Sequence, residues 1–233
     1  MSTVHVRTPD PAPTVAFKLG DLVVLGPQTR AAYLIPDRPS ACVAIRLPVG
    51  QARPLLGVPL SGLVDRVVPL AELWGRRADE LSERLSDDMD RFGRAAALAR
   101  LRAALAERLA EGTGPDRARL VGDAARLLAG PSPGVRQVAR ELGVSERHLR
   151  EVFADGVGVS PKRFTRIGRV RHVLAGGQPW AELAAEAGYY DQSHMGADFR
   201  SVMGVSPGAY RAGRLPAPRL CESSFRRAGD PAS

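Results

Sequence analysis

The stretch GVSPKRF at residues 158–164 returns as GVSPGAY at 204–210, 46 residues further on. Either copy alone reads as helix punctuation. Gly158 or Gly204 ends a helix in the left-handed conformation that glycine adopts at no steric cost. Ser160 or Ser206 then caps the next helix, with Pro161 or Pro207 at its first position, where a missing N–H costs nothing. An aromatic residue, Phe164 or Tyr210, follows and packs backward. Helices in many proteins stop and restart in this way, so the information lies in the spacing.

A shift of 46 aligns more than the punctuation. Ser145 falls on Asp191, both good N-caps, His148 on His194, Leu149 on Met195 and Phe153 on Phe199. Upstream, with one residue inserted in the turn, Ala139 meets Ala184, Leu142 meets Ala187 and Gly143 meets Gly188. Each unit is therefore a helix, a tight glycine turn, a second helix with an apolar i, i+4 pair, and GVSP. A helix-turn-helix needs these parts: a small residue where the helices cross, a glycine in the turn and buried aliphatics. Two copies are too few to stack a solenoid core.

Around this repeat the pattern predicts helices over 115–129, 133–142, 145–156, 161–175, 179–187 and 191–203, with a short one from 207. Upstream, TVAFKL, DLVVLG, AAYLIP and ACVAIRL between residues 14 and 47 read as short strands between glycine and proline breaks, Pro36-Asp37 among them. Residues 48–70 are turn-rich. From Leu70 to Glu111, Leu70, Leu73, Trp74, Leu81 and Leu85 mark one helical stripe. Met89, Phe92, Ala96, Leu101, Leu105 and Leu109 mark another, as core or as a subunit contact. The expected fold class is α+β: a small β-rich domain at 1–69, an amphipathic helical linker at 70–112 and an all-α domain at 113–214. Its two helix-turn-helix units are joined by a long helix. GTGP at 112–115 marks the boundary, and 215–233 reads as a disordered tail.

Composition narrows the function classes. The chain has 233 residues and a net charge of +8, carried almost wholly by arginine, since only Lys18 and Lys162 are lysines. A polyanionic partner suits that balance, although an arginine-for-lysine bias also follows from a GC-rich genome. Cys42 and Cys221 form no CxxC pair, which points to a reducing compartment and away from a disulfide framework or a zinc knuckle. The N-terminus lacks the apolar core of a signal peptide, and no run of about 18 apolar residues spans a membrane. A soluble cytoplasmic protein is expected.

VRQVARELGVSERHLREVFADGVGVSPKRF, followed by WAELAAEAGYYDQSHMGADFRSVMGVSPGAYR, resembles the DNA-binding domain of AraC/XylS-type bacterial transcription regulators over about 115–212. GYYDQSHMGADFRSVMGVSPGAYR is the most specific stretch of that match. Residues 22–75 are similar to the small N-terminal domain of one branch of these regulators, shortened at its start. The resemblance implies a regulator that binds promoter DNA and is not an enzyme. RNA polymerase, a small-molecule effector and a second copy of the chain are the further partners it implies.

In that family the connecting helix, here 161–175, holds the two units. Fifteen residues make a rod of roughly 22 Å, a strut suited to placing recognition helices in successive major grooves about 34 Å apart. Phe164, Ile167, Val170 and Leu174 form its apolar face, leaving Arg163, Arg166, Arg169 and Arg171 for phosphates or for a solvated cationic face. In the first recognition helix Leu149, Val152 and Phe153 point inward. Arg147 and Arg150 are the base readers, because a guanidinium fork matches guanine O6/N7, and Glu151 accepts from cytosine N4 or orients an arginine. In the second, Met195 and Phe199 point inward, while Gln192, Ser193, Gly196 and Ala197 face out. Gln192 suits adenine and Ser193 a base or a phosphate. Ser145, His148, His194 and Arg200 complete the backbone contacts. Gly196 and Ala197 leave the second unit fewer base contacts, so the first should carry most of the sequence discrimination.

Other chemistries find little support. His148 and His194 lie in different repeats with no Cys or third His beside them, a poor start for a zinc site. Tyr189 and Tyr190 read as packing residues in the turn, and Trp180 as core. No nucleophile, base and orienter stand at a catalytic spacing, and no glycine loop cradles phosphate. Cys42, in an apolar strand, reads as buried and inert; Asp37 and Arg38 read as turn residues. No cofactor is expected. The remaining alternatives are an assembly module acting through the 70–112 helices, with non-specific DNA affinity, and an enzyme or DNA-repair fusion using the N-terminal domain.

Overall fold

A computed structural model describes residues 4–35, 42–112, 114–130 and 134–220. The expectations for Asp37, Arg38, Cys221 and the tail beyond 220 lie outside the described residues. The N-terminal part runs β1 (His5–Arg7), β2 (Thr14–Lys18), β3 (Asp21–Leu25), β4 (Ala32–Ile35), β5 (Cys42–Arg46), α1 (Ala52–Leu56), a 3-10 turn (Leu60–Leu63) and β6 (Val67–Pro69). Helices α2 (Ala71–Trp74), α3 (Arg76–Phe92) and α4 (Arg94–Glu111) follow. The four apolar runs read as strands are β2 to β5; β1 and β6 are three-residue strands too short for a visible alternation.

Strands β5-β2-β3-β6 form an antiparallel sheet. Leu19 and Gly20 join β2 to β3, both with positive φ, as a two-residue hairpin of the twist-matched type requires. Val15, Phe17, Leu22, Val24 and Val43 are buried in one cluster with Leu81 and Leu85 of α3 and Leu101 and Leu105 of α4. The stripes read from sequence are thus mostly the inner faces of a helical hairpin. Phe92 and Ala96 are exceptions: Phe92 sits at the hairpin tip, 72% exposed, and Ala97 rather than Ala96 is buried in the core. Cys42 is only partly buried, at the start of the edge strand β5, rather than enclosed.

The C-terminal part holds α5 (Pro115–Leu128), α6 (Val135–Glu141), α7 (Glu146–Val157), α8 (Pro161–Ala175), α9 (Trp180–Glu186), α10 (Gln192–Met203) and α11 (Pro207–Arg211). Residues 219–220 form β7, which adds parallel to β4 and completes a β1-β4-β7 sheet. No local pattern announces a strand whose partner lies about 185 residues upstream.

Each unit has its own core. Val121, Leu128, Val138, Leu149 and Phe153 fill the first; Val170, Leu183, Met195, Phe199 and Val202 fill the second. The repeat extends to its aromatics. Phe164 meets Phe153 edge-on at 5.3 Å, and Tyr210 meets Phe199 at 5.8 Å, the backward packing expected of the residue after GVSP. The GTGP boundary separates the chain but not the packing: Val49 and Val64 lie against the first core, Val6 and Ala31 against the second.

Candidate nucleic-acid interface

Helices α7 and α10 start from the caps that the sequence dictates. Ser145 accepts from the His148 N–H at 3.1 Å and Asp191 from the His194 N–H at 2.7 Å, satisfying backbone donors that a helix start leaves free. Gly143 and Gly188 take φ of +68° and +70° in the preceding turns, and Ala139 and Ala184 are buried where the helices cross. At the other end Gly158 and Gly204 are left-handed caps, and Ser160 and Ser206 cap the next helices.

On α7, Leu149, Val152 and Phe153 are buried, while Arg147, His148, Arg150 and Glu151 are exposed. Arg147 Nε donates to Glu151 at 3.0 Å, and Arg150 pairs with Glu146. These i, i+4 pairs are worth only about 0.3–0.5 kcal/mol each at the surface, so a nucleic-acid acceptor can replace them cheaply. Glu151 thus orients an arginine in the free protein.

On α10, Met195 and Phe199 are buried, and Gln192, Ser193, His194, Ala197 and Arg200 are exposed. Gly196 departs from the expectation of an outward residue, because its own surface is covered. A Cβ there would nevertheless meet nothing within 4 Å, so the helix presents an indentation where a side chain could stand. Gln192, Ser193, Gly196 and Arg200 share that concavity with Trp180. Tyr189 is packed, edge-on to His194 at 5.2 Å. Its buried hydroxyl has no hydrogen-bond partner among the described residues, and burial holds it protonated well above its ordinary range. Tyr190 is not a packing residue: it is 94% exposed at the entry to α10. Nothing in the dipeptide distinguishes the two tyrosines, since the turn alone decides which ring turns inward.

The strut arginines are engaged within the protein. Arg163 donates to Thr29 Oγ1 at 2.7 Å, and Arg166 pairs with the largely buried Asp198 of α10 at 2.9 Å. The Arg169 guanidinium lies over the Tyr189 ring, 5.5 Å from its centroid, and Arg171 pairs with Asp10 at 2.8 Å. These partners lie up to 161 residues away in sequence, so helical periodicity cannot distinguish such a face from a solvated one. Ile167 and Val170 are buried as expected, and Val173 joins them.

The N-terminal part therefore holds the helix-turn-helix units at several points. Asp155, at the end of α7, pairs with Arg53 of α1 at 2.5 Å and Arg117 of α5 at 2.9 Å. The last carbonyls of α10 accept from this part: Val202 from the Ala31 N–H at 2.9 Å and Met203 from the Tyr33 hydroxyl at 2.7 Å. Burial pushes that hydroxyl up to about 12, so it is a donor at neutral pH. Asp65 accepts from the Thr29 N–H at 2.6 Å and from its hydroxyl.

Asp10 gives this junction a pH dependence. Burial alone would raise its carboxyl, but hydrogen bonds from Arg46, the Ala12 N–H and Arg171 outweigh it and hold the group below the usual range. A depressed carboxylate contributes stability above its unfolded pKa, about 3.9, and loses it as pH falls through the folded value. Asp10→Asn is expected to cost about 1–2 kcal/mol at neutral pH, discounted for the half-exposed Arg46. It should also reduce the loss of melting temperature that wild type shows below about pH 4. Thermal melts of both proteins from neutral to acid pH check this; parallel curves would remove Asp10 from the junction.

Among the described residues no three His, Cys, Asp or Glu side chains group as a metal set, and no helix is long and apolar enough to cross a membrane. Residues 138–213 match the helix-turn-helix domain family. No curated protein matches the chain. Among solved structures, the DNA-binding domain of AdpA, determined in complex with a target DNA, is 25% identical over 42% of this chain and 90% of that one, with a TM-score of 0.37. The transcriptional regulator CdpR from Pseudomonas aeruginosa is 29% identical over 52% of this chain and 40% of its own, at a TM-score of 0.36. ToxT from Vibrio cholerae is 11% identical over 90% and 88%, at 0.44. The duplicated unit, its caps and its paired aromatics agree with that match: residues 138–213 form a helix-turn-helix domain.

Proposed function

We propose that the protein reads promoter DNA in two successive major grooves, with α7 and α10 as recognition helices. The observation that carries this reading is the pair of equivalent capped helices, each anchored by a buried aromatic and each exposing its first turns. Arg147 and Arg150 read bases, with Glu151 as orienter or cytosine acceptor. Gln192 and Ser193 contribute the base contacts of the second unit. Ser145, His148, His194 and Arg200 stand at the ends and flanks of these helices, where phosphates pass. Of the strut arginines, Arg166 and Arg171 serve first to hold the two units to each other and to the N-terminal part. Arg163 and Arg169, without a carboxylate partner among the described residues, remain the better phosphate candidates.

The first unit then carries most of the discrimination, because α10 presents an indentation at Gly196 where α7 presents Arg150. Selection of bound duplexes from a random pool by the full chain tests the reading: two motifs about one helical turn apart are expected. Absence of enrichment would sink it. Arg147→Ala should then cost about 1–3 kcal/mol and relax the preference at one base position; an equal loss on every sequence would place Arg147 on the backbone instead. Control of this reader through residues 1–112, by dimerisation or by a small molecule, is the second half of the proposal. Mass measurement of the chain in solution decides the first of these.

A further inference from the structure

The N-terminal part and the second unit enclose a cleft of about 970 Å³. Arg7, Arg30, Arg163, Arg200 and Arg219 line it, and Asp65 is the one acid among its lining residues. Both oxygens of that acid are already taken by Thr29, through its N–H and its hydroxyl. Arg163 reaches only the Thr29 hydroxyl. Arg30, Arg200 and Arg219 are exposed, and none of their guanidinium groups makes a hydrogen bond or ion pair with a described residue. Five guanidinium groups from β1, the turn before β4, α8, α10 and β7 thus line one cleft, and those of Arg30, Arg200 and Arg219 have no partner among the described residues. Such a concentration of one sign raises the local potential and draws in an anion.

We infer that the occupant is the DNA backbone, and that the N-terminal part thereby grips the duplex itself beside the second recognition helix. This rests on the reading of α7 and α10 as DNA readers. The link is Arg200. It lies on α10, two turns beyond Gln192 and Ser193, and lines both this cleft and the concavity those residues share with Gly196. Arg200 thus links the cleft to the reading face, and a strand flanking the groove read by α10 would pass Arg200 and meet Arg30 and Arg219. Arginines spread along an open cleft suit successive phosphates better than one small ion. The α10 carboxyl end, whose dipole would repel phosphate, is tied off by the Ala31 N–H and the Tyr33 hydroxyl. A second unit poor in base contacts therefore has its backbone hold supplied by another part of the chain.

The test uses the full chain and a mixed-sequence duplex about 40 base pairs long, titrated between about 50 and 200 mM salt. Each phosphate neutralised contributes about 0.9 to the slope of log affinity against log salt. In the double variant Arg30→Gln/Arg219→Gln the slope is expected to fall by about two. Lys18→Gln removes one charge from the other sheet and should leave the slope unchanged. Both mutated arginines are exposed, and matching melting temperatures verify that the fold is intact. On the sequences selected from the random pool, the double variant should weaken binding equally while keeping base preference. An unchanged slope in the double variant overturns the inference while leaving α7 and α10 as readers. So does an unchanged slope accompanied by stabilisation of wild type, and not of the double variant, by inorganic phosphate at fixed ionic strength; the cleft would then hold a small anion. Failure of wild type to bind the duplex even at the lowest salt would overturn the reader and the inference together.

Discussion

Replacing Phe153 with alanine is expected to destabilise the protein by about 3–5 kcal/mol, the range for a fully buried aromatic whose loss leaves a cavity. Phe153 is 0% exposed and stands edge-on to Phe164, the aromatic that follows GVSP. It also shares a cluster with Val121 of α5, Val138 of α6 and Leu149 of α7. The ring thus sits in the core shared by α5, α6 and α7 and touches Phe164 of the strut that follows. Phe199, its equivalent 46 residues later, is 1% exposed between Trp180 and Tyr210, and Phe199→Ala should cost a similar amount. The two variants separate in location. Hydrogen exchange should show protection lost first around α7 in one and around α10 in the other. Urea unfolding gives the magnitude; a loss under about 1 kcal/mol in either would mean that the site collapses around the missing ring.

The second large effect belongs to Gly158→Ala. With φ of +86°, any L side chain is strained there by about 1–2 kcal/mol. The added Cβ would also stand 2.8 Å from the Leu60 carbonyl oxygen and 2.9 Å from Pro27 Cγ. Neither neighbour is a flexible tip. Relieving the clash requires the N-terminal part to move off the end of α7, at a further cost of about 1–3 kcal/mol. Gly204 has nearly the same conformation, φ +75°, but the nearest atom to its Cβ would be Pro216 Cγ at 3.9 Å, an ordinary contact. Gly204→Ala should therefore cost only the backbone strain, about 1–2 kcal/mol. Equal losses in the two variants, measured by thermal or urea unfolding, would show that the N-terminal part is not pressed against α7.

This pair of glycines shows where sequence reading reached and where it stopped. The cap, turn and restart at 158–161 and 204–207 were legible because they are local. A left-handed glycine, a serine that accepts from an N–H three residues on, and a proline at the first helical position depend only on near neighbours. The aromatic pairs Phe153–Phe164 and Phe199–Tyr210 were legible through the repeat. So were the strands β2 to β5 and the inner faces of α3 and α4, from apolar patterning. Arg147, Arg150, Gln192 and Ser193 were picked out by their place on capped helices, and they stand on exposed faces.

The roles of the strut arginines were not legible. Their partners Thr29, Asp10 and Asp198 come from other elements, and an arginine bound for an intramolecular carboxylate looks the same in sequence as one bound for phosphate. The exposure of Tyr190 and Phe92 and the return of the chain as β7 depended likewise on tertiary placement. By itself the sequence determined the repeated unit, its helix boundaries and its caps, because those energies act within one or two turns. Only the tertiary structure decided which copy of GVSP bears the N-terminal part, which arginines are already paired and which face the cleft, because those contacts join separate elements, 32 positions apart for Arg166 and Asp198 and 161 for Arg171 and Asp10.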